Sequence, residues 1–370
     1  MSGRAIPMNA FVRRVVIATT AVSMAATVAA CGKAGGGDSG GGDNKTIGLL
    51  LPENKTTRYE TFDRPFIEHK IKELCSDCVV KYNNAAQETE TQKKQFDALI
   101  TQGVKVIILD SVDYKATKSW VNQAAKKGVQ VVAYDRLAEG KISAYVSYDN
   151  EKIGRLQGEG LVKALGSGAK DANVVMINGS PTDPNAPFFK KGAHSVLDKQ
   201  VKKIAYEQDI PDWSTDEANK KMNSAIDALG KDGIQGVYSA NDGMAGGILT
   251  ALKQRNIDVP VGGQDAELAG LQRILKGDQS FTIYKQIKPQ AETTAEVAVK
   301  LLKGEKLGSV TPDKVDSLSG EVKGIPAKLY DAQIVTKDDI KDTIIKDKVY
   351  KASQLCTADY KKACEEAGIK

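Results

Sequence analysis

Residues 131–136 read VVAYDR, an apolar run that stops on two opposite charges. A charge withdrawn from water is costly unless it is paired or hydrogen-bonded. Asp135 and Arg136 therefore either cap a strand at the surface or hold something polar. The same ending recurs along the chain. TIGLLL (46–51) is followed by Arg58 and Tyr59, NVVMING (173–179) by a loop carrying Asp183 and Asn185, and GVYSA by Asn241. VPVGGQ leads to Asp265, and FTIY to Lys285. Carboxylates accept hydrogen bonds, guanidinium and ammonium groups donate them, and Asn does both. Together they suit a ring of hydroxyls, and Tyr59 and Trp213 offer aromatic faces to the C–H side of a sugar. A phosphate site would want a glycine-rich loop at a helix N-terminus. No P-loop is present, and Gly158 and Gly160 fall inside a predicted helix, where packing explains them. Asp135 and Asp265 are also eligible as the carboxylate pair of an exported glycosidase. Asp265 has the further option of capping a helix that starts at Ala266. Asp242 is read as the cap of the helix from Gly243 and is left out of the site.

These residues need a scaffold that gathers strand ends. From Lys45 the sequence predicts strands at 46–51, 78–83, 104–110, 129–135 and 142–149, with helices near 66–74, 89–102 and 115–127. The pattern restarts with a helix near 150–165. Strands at 173–179, 202–208, 234–241, 259–265 and 281–285 then alternate with helices near 186–198 and 215–229, from Gly243 and from Ala266. Unbroken Val/Ile/Leu runs predict parallel strands covered on both faces. Two successive strand–helix series predict an α/β protein of two doubly wound parallel-sheet lobes. In such sheets ligands bind beyond the carboxyl ends of the strands, where the polar residues above stand.

The first thirty residues read as an export signal. Arg4, Arg13 and Arg14 precede an apolar run over 15–30, and no acidic residue comes before Asp38. The run is too short and too rich in Ala and Thr for a membrane span. It ends in Val28-Ala29-Ala30-Cys31, and GKAGGGDSGGGDN follows as a flexible tether. Removing the three Arg takes the basic count from 52 to 49 against 47 acidic residues, so the net charge falls from +5 to +2. With no basic cluster and no DNA-binding helix pair ahead of the globular part, a nucleic-acid partner and a sugar-responsive transcription regulator are excluded. Cys75/Cys78 and Cys356/Cys364 form two close pairs, and the chain has only His69 and His194 to complete a zinc site. In an exported protein they read as two local structural disulfides.

Seven stretches carry a resemblance: AYDR (133–136), SYDNEKIGRLQ (147–157), GSPTDPNA (179–186), SANDGMAGG (239–247), GGQDAELAGLQRI (262–274), TIYKQI (282–287) and IKDTIIKD (340–347). They resemble the type I periplasmic-binding proteins, sugar receptors of ABC transporters, over essentially the whole chain after the tether. The VAAC ending resembles a bacterial lipobox, which implies a lipidated Cys31 and anchorage to the outer face of the cell membrane. The resemblance implies sugar contacts from Arg58, Asp135, Arg136, Asn185, Asn241, Asp265 and Lys285. Asp183 lies in the same loop, and Tyr59 and Trp213 stand beside the ring. Tyr59 replaces a Trp of the family pattern, and the segment from Tyr59 to Arg64 is one residue longer than that pattern. A three-crossing hinge is implied near 148–150, 284–286 and 318–326. The organisation is then a signal peptide at 1–30, lipidated Cys and tether at 31–45, an N-terminal lobe at 46–149 plus 285–317, a C-terminal lobe at 150–284 plus 318–349, and a tail at 350–370. No catalytic residue, metal or cofactor is expected. The expected ligand is a neutral aldopentose, D-xylose first, with D-glucose, D-ribose or L-arabinose as alternatives where the longer first loop reshapes the pocket. The expected partners are an ABC permease and its ATPase subunit, the receptor itself being a monomer that serves transport or sensing.

Overall fold

Alternate residues of the same strands enter different cores, which is why the apolar runs are unbroken. A computed structural model describes residues 45–369; Cys31, the signal segment and most of the tether lie outside the described residues. The first series is β1 (Thr46–Leu51), α1 (Arg64–Leu74), β2 (Val79–Asn84), α2 (Thr89–Thr101), β3 (Val106–Leu109), α3 (Thr117–Lys126), β4 (Gln130–Tyr134) and β5 (Ala144–Tyr148). Its strands pair in parallel in the order β2-β1-β3-β4-β5. Ile47, Leu49, Val106, Ile108 and Val132 join a core on one face, with Ile67 and Ile71 of α1. Leu50, Ile107, Leu109, Val131 and Ala133 join the core on the other, with Phe96 of α2 and Trp120 of α3. The two-residue period of a strand divides them.

The second series is α4 (Asn150–Leu165), β6 (Asn173–Asn178), α5 (Asn185–Gln200), β7 (Lys203–Asp209), α6 (Thr215–Leu229), β8 (Gly236–Ser239), α7 (Asp242–Gln254), α8 (Leu268–Lys276) and β9 (Thr282–Lys285). Here the parallel order is β7-β6-β8. The expected strand at 259–265 is not one. It makes a single bridge, Val261 to Val237, and then runs irregularly, with Gly263 O accepting from Ile283 N and Asp265 N donating to Ile283 O. Two glycines explain the break: a Cβ on Gly262 would sit 2.4 Å from the Phe281 ring, and one on Gly263 would sit 2.0 Å from Asp242 Oδ1. The close approach of those side chains takes the place of a regular ladder.

After β9 the chain returns to the first sheet. α9 (Ile287–Leu302) contributes Ala291, Ala295 and Ala298 to its core. β10 (Asp313–Val315) and β11 (Ile325–Tyr330) form an antiparallel pair, and β11 adds to β5 in parallel. β12 (Ala332–Val335) then pairs antiparallel with β9. The third passage between sheets is therefore at Asp331, not near 318–326, and residues 318–330 belong with the first sheet. The polar, glycine-containing stretch after Ser317 is a turn closing the β10–β11 pair, with Ser317 N donating to Val322 O, and not a connection between lobes. Asp149 N donates to Tyr330 O, tying the first and third crossings together. Beyond them the tail packs Tyr350, Leu355, Cys364 and Ile369 onto Leu271 and Ile274 of α8. Disulfides join Cys75 to Cys78 and Cys356 to Cys364.

Candidate functional site

The carboxyl ends of both sheets face one another across a small cavity. Arg58, Tyr59, Asp135 and Arg136 line it from the first lobe. Asp183, Asn185, Trp213, Asn241, Asp265 and Lys285 line it from the second and from the hinge end of β9. Thr56, Phe189 and Gln264, which sequence reasoning passed over, complete the wall. The space left free is only about 20 Å³, against the roughly 300 Å³ at which ligand pockets begin. A ring-sized guest enters only if the walls part. A larger cavity of about 360 Å³ lies on the hinge side and shares Asp265 and Lys285. Phe62, Phe66, Ile287, Pro289 and Val349 make much of its wall, so it gathers fewer of the convergent polar groups.

Arg58 anchors the first lobe's side of the wall. Its Nε and Nη2 donate to Asp63 (3.1 and 2.6 Å), Nη2 also to Gln290 Oε1 (3.0 Å), and Nη1 to Asp135 Oδ1 (3.2 Å). Four of its five donors are spent within the protein, leaving one for a guest. Asp63 also accepts from Tyr134 OH. Burial would raise the Asp135 carboxyl, but Arg58, Lys285, the Gln290 hydrogen bond and Arg136 outweigh it and hold it at about 2. Asp135 is thus a charged acceptor throughout the neutral range.

Arg136 reaches across. Its Nη1 donates to Ser111 O (3.2 Å) and its Nη2 to Tyr59 OH (3.4 Å), both in its own lobe. Its Nε lies 2.8 Å from Asp183 Oδ2 of the other lobe. Asp183 in turn accepts from Trp213 Nε1 (3.2 Å) and from Asn185 N (2.8 Å). Asn185 opens α5, takes Asn150 Nδ2 on its Oδ1 (2.8 Å), and donates to Asp135 O (3.3 Å). Lys285 Nζ pairs with Asp265 Oδ1 at 2.8 Å and sits 5.8 Å from the centre of the Phe189 ring. Gly179 makes room for Trp213, whose ring would lie 2.1 Å from a Cβ there.

The site stores strain. Asp135, Trp213 and Asp265 hold φ of 55°, 53° and 93°, a region costing non-glycine residues about 1–2 kcal/mol each. It also holds unspent polarity: among the described residues Gln264 Oε1 and Ser111 Oγ are buried without a hydrogen-bond partner, while Asp265 Oδ1 and Arg136 Nε have ion-pair partners but no hydrogen-bond alignment. Buried polar atoms of this kind are uncommon in folded proteins. The capping expectations change. Asn241, not Asp242, caps α7, its Oδ1 accepting from Met244 N (2.8 Å) and leaving its NH₂ for the cavity. Asp242 instead accepts from Gln279, Thr282 and Glu267 N, a structural role that keeps it outside the site. Asp265 caps nothing, because α8 begins only at Leu268.

Residues 47–306 match the model of the periplasmic binding protein domain. The D-xylose-binding periplasmic protein of Escherichia coli is 34% identical over 316 residues, covering 84% of this chain and 92% of that one. Its namesake from Haemophilus influenzae is 32% identical, covering 81% and 89%. The multiple sugar-binding periplasmic receptor ChvE of Rhizobium radiobacter is 28% identical, covering 85% and 93%. Among solved structures, an ABC transporter solute binding protein from Clostridium phytofermentans with bound β-D-glucose superposes with a TM-score of 0.76 at 27% identity, covering 84% and 99%.

The Arg58 network yields a stability prediction. Asp63→Asn leaves a fully buried guanidinium short of a carboxylate, and should cost about 3 kcal/mol or more in chemical denaturation. A loss below about 1 kcal/mol would mean that Asp63 is not what holds Arg58.

Proposed function

Because the chain belongs to the periplasmic-binding-protein family, we propose that it captures a neutral monosaccharide, D-xylose first, between its lobes and delivers it to an ABC permease and its ATPase subunit. It is a sugar-binding receptor, not an enzyme. The observation that carries the ligand class is the convergence of three carboxylates (Asp135, Asp183, Asp265), three cations (Arg58, Arg136, Lys285) and two Asn on one cavity. Charge at the wall is balanced, and Glu53 and Asp63 lie behind it, fully buried. That surplus of carboxylates disfavours a sugar acid or sugar phosphate. Side chains of both signs in close pairs suit hydroxyls, which insert as donor and acceptor at once.

Each of the ten residues expected from the sequence, with Phe189 beside them, has a proposed part. Asp135, Asp183 and Asp265 accept from hydroxyls; Arg136, Lys285 and the last Arg58 donor give to them; Asn185 and Asn241 do either. Tyr59, Trp213 and Phe189 pack on the ring faces and exclude bulk. The D-xylose-binding relatives support the pentose, and the multiple sugar-binding relative and the glucose-bound structure support a second reading in which D-glucose is also taken. Pairing every hydroxyl rejects epimers strongly, since a wrong stereocentre leaves a buried group unpaired.

A thermal-shift panel of pentoses, hexoses and sugar phosphates on the mature protein tests the ligand. At 100 times its dissociation constant a ligand adds about 2.7 kcal/mol of stability, and D-xylose should give the largest shift; a larger one with a hexose or a sugar phosphate removes the pentose assignment. The proposed anchor rests on the Val28-Ala29-Ala30-Cys31 ending. Cys31→Ser should prevent fatty-acid labelling and release the receptor from the membrane fraction, whereas unchanged fractionation would contradict it.

A further inference from the structure

Behind Arg136, at the carboxyl end of β3, lies a carboxylate that the site has not used. Asp110 is fully buried, and neither of its side-chain oxygens has a hydrogen-bond partner among the described residues. Its Oδ1 is 3.5 Å from Arg136 Nε, the same atom that lies 2.8 Å from Asp183 Oδ2. The two carboxylates belong to different lobes, Asp110 to that of Arg136 and Asp183 to the one facing it. The other guanidinium nitrogens are held within the first lobe, Nη1 by Ser111 O and Nη2 by Tyr59 OH. Only Nε is placed to change partner.

We propose that Asp110 is the resting partner of Arg136, holding its Nε when the lobes are apart and yielding it to Asp183 when sugar draws them together. The inference rests on the receptor reading above and extends it to a positioning residue that does not touch the ligand. An Arg left in an open, half-dry cleft without a carboxylate would be both unstable and free to wander. With Asp110 behind it, the side chain stays aimed at the cavity in both states, and closure exchanges one ion pair for another instead of creating one from nothing.

The exchange has a chemical consequence. In the closed arrangement Asp110 is left to Arg136 at the longer distance, with Asp135 and Asp183 nearby and Arg58 farther round. Burial pushes its carboxyl well above the usual range, Arg136 pulls it back, and the negative Asp135 and Asp183 push it up further. Closure therefore favours the protonated form of Asp110, and sugar binding becomes linked to proton uptake. Glu267, in the second lobe, is another buried carboxyl at the closure: its Oε1 accepts from Thr57 N across the lobes (3.4 Å), and burial with Asp242 and Asp265 nearby raises it to about 8. Its share of any uptake remains when Asp110 is replaced.

Titration calorimetry of the mature protein with D-xylose, in two buffers of different ionisation enthalpy, measures the uptake directly. The wild type should take up a proton on binding, up to one through Asp110, and its affinity should weaken with rising pH by up to about tenfold per unit. Asp110→Asn should still bind, with the uptake and pH slope reduced to the Glu267 share. Asp183→Asn should bind more weakly and also take up less, because Arg136 then stays with Asp110. Equal proton uptake in wild type and Asp110→Asn, or a wild-type enthalpy independent of buffer, overturns the handover and leaves the receptor reading intact. Loss of all binding in a folded Asp110→Asn would make Asp110 a direct contact and also overturns it. Failure of the wild type to bind D-xylose or any other sugar would overturn both.

Discussion

Two guanidinium groups withdrawn from water set the terms for everything around them. Arg58 and Arg136 are 3% and 1% exposed, and a buried charge persists only where carboxylates and hydrogen bonds surround it. Asp63, Asp135 and Gln290 enclose the first; Asp183, Asp110, Ser111 O and Tyr59 enclose the second. Those partners come from β1, β3, β4, β6 and α9 or the loops after them, so the sheets must bring their carboxyl ends to one place. The doubly wound arrangement does so by construction, since all parallel strands of a sheet end on the same side.

The same pairing explains how the protein can close on a guest. With only about 20 Å³ free between the walls, cavity side chains are bonded to one another: Lys285 to Asp265, Asn185 to the Asp135 carbonyl. A sugar replaces these contacts with its own hydroxyls, so its affinity is a difference between two well-bonded states. A ligand shifts the lobes only by what it gains in the closed form. The three chain crossings after Tyr148, after Lys285 and at Asp331 give the lobes a shared axis. Phe62, on the π-helical turn Tyr59–Asp63, adds an edge contact with Tyr350 of the tail at 5.4 Å. The Tyr59–Asp63 segment is wound as a π turn, a rare form found frequently at functional sites.

Much of this was legible in the sequence, and the failures have physical causes. Strand-end polar residues were readable because a run such as VVAYDR has no reason to end on charge unless the charge is used. These residues and Trp213, chosen as an aromatic face for a sugar ring, line one cavity. Gln264 and Phe189 were missed although their signals were present: Gln264 precedes Asp265, and Phe189 stands one helical turn after Asn185. Asp110 escaped because its carboxylate is hidden behind Arg136, a relation no spacing reveals. The strand expected at 259–265 failed because Gly262 and Gly263 serve the close approach of Phe281 and Asp242. The third crossing was misplaced because β10 is a three-residue edge strand and β11 pairs on the otherwise free edge of β5, which is a property of the sheet and not of the segment.

The central claim is that Arg136 donates directly to the sugar in a dry cleft. Titration calorimetry of folded Arg136 variants with the preferred sugar tests it most directly. Arg136→Ala should weaken binding by about 2–4 kcal/mol, roughly 30- to 1000-fold, and Arg136→Lys should restore little, because one ammonium cannot reproduce the planar fork. Near wild-type binding by Arg136→Ala would place the residue outside the site and contradict the account.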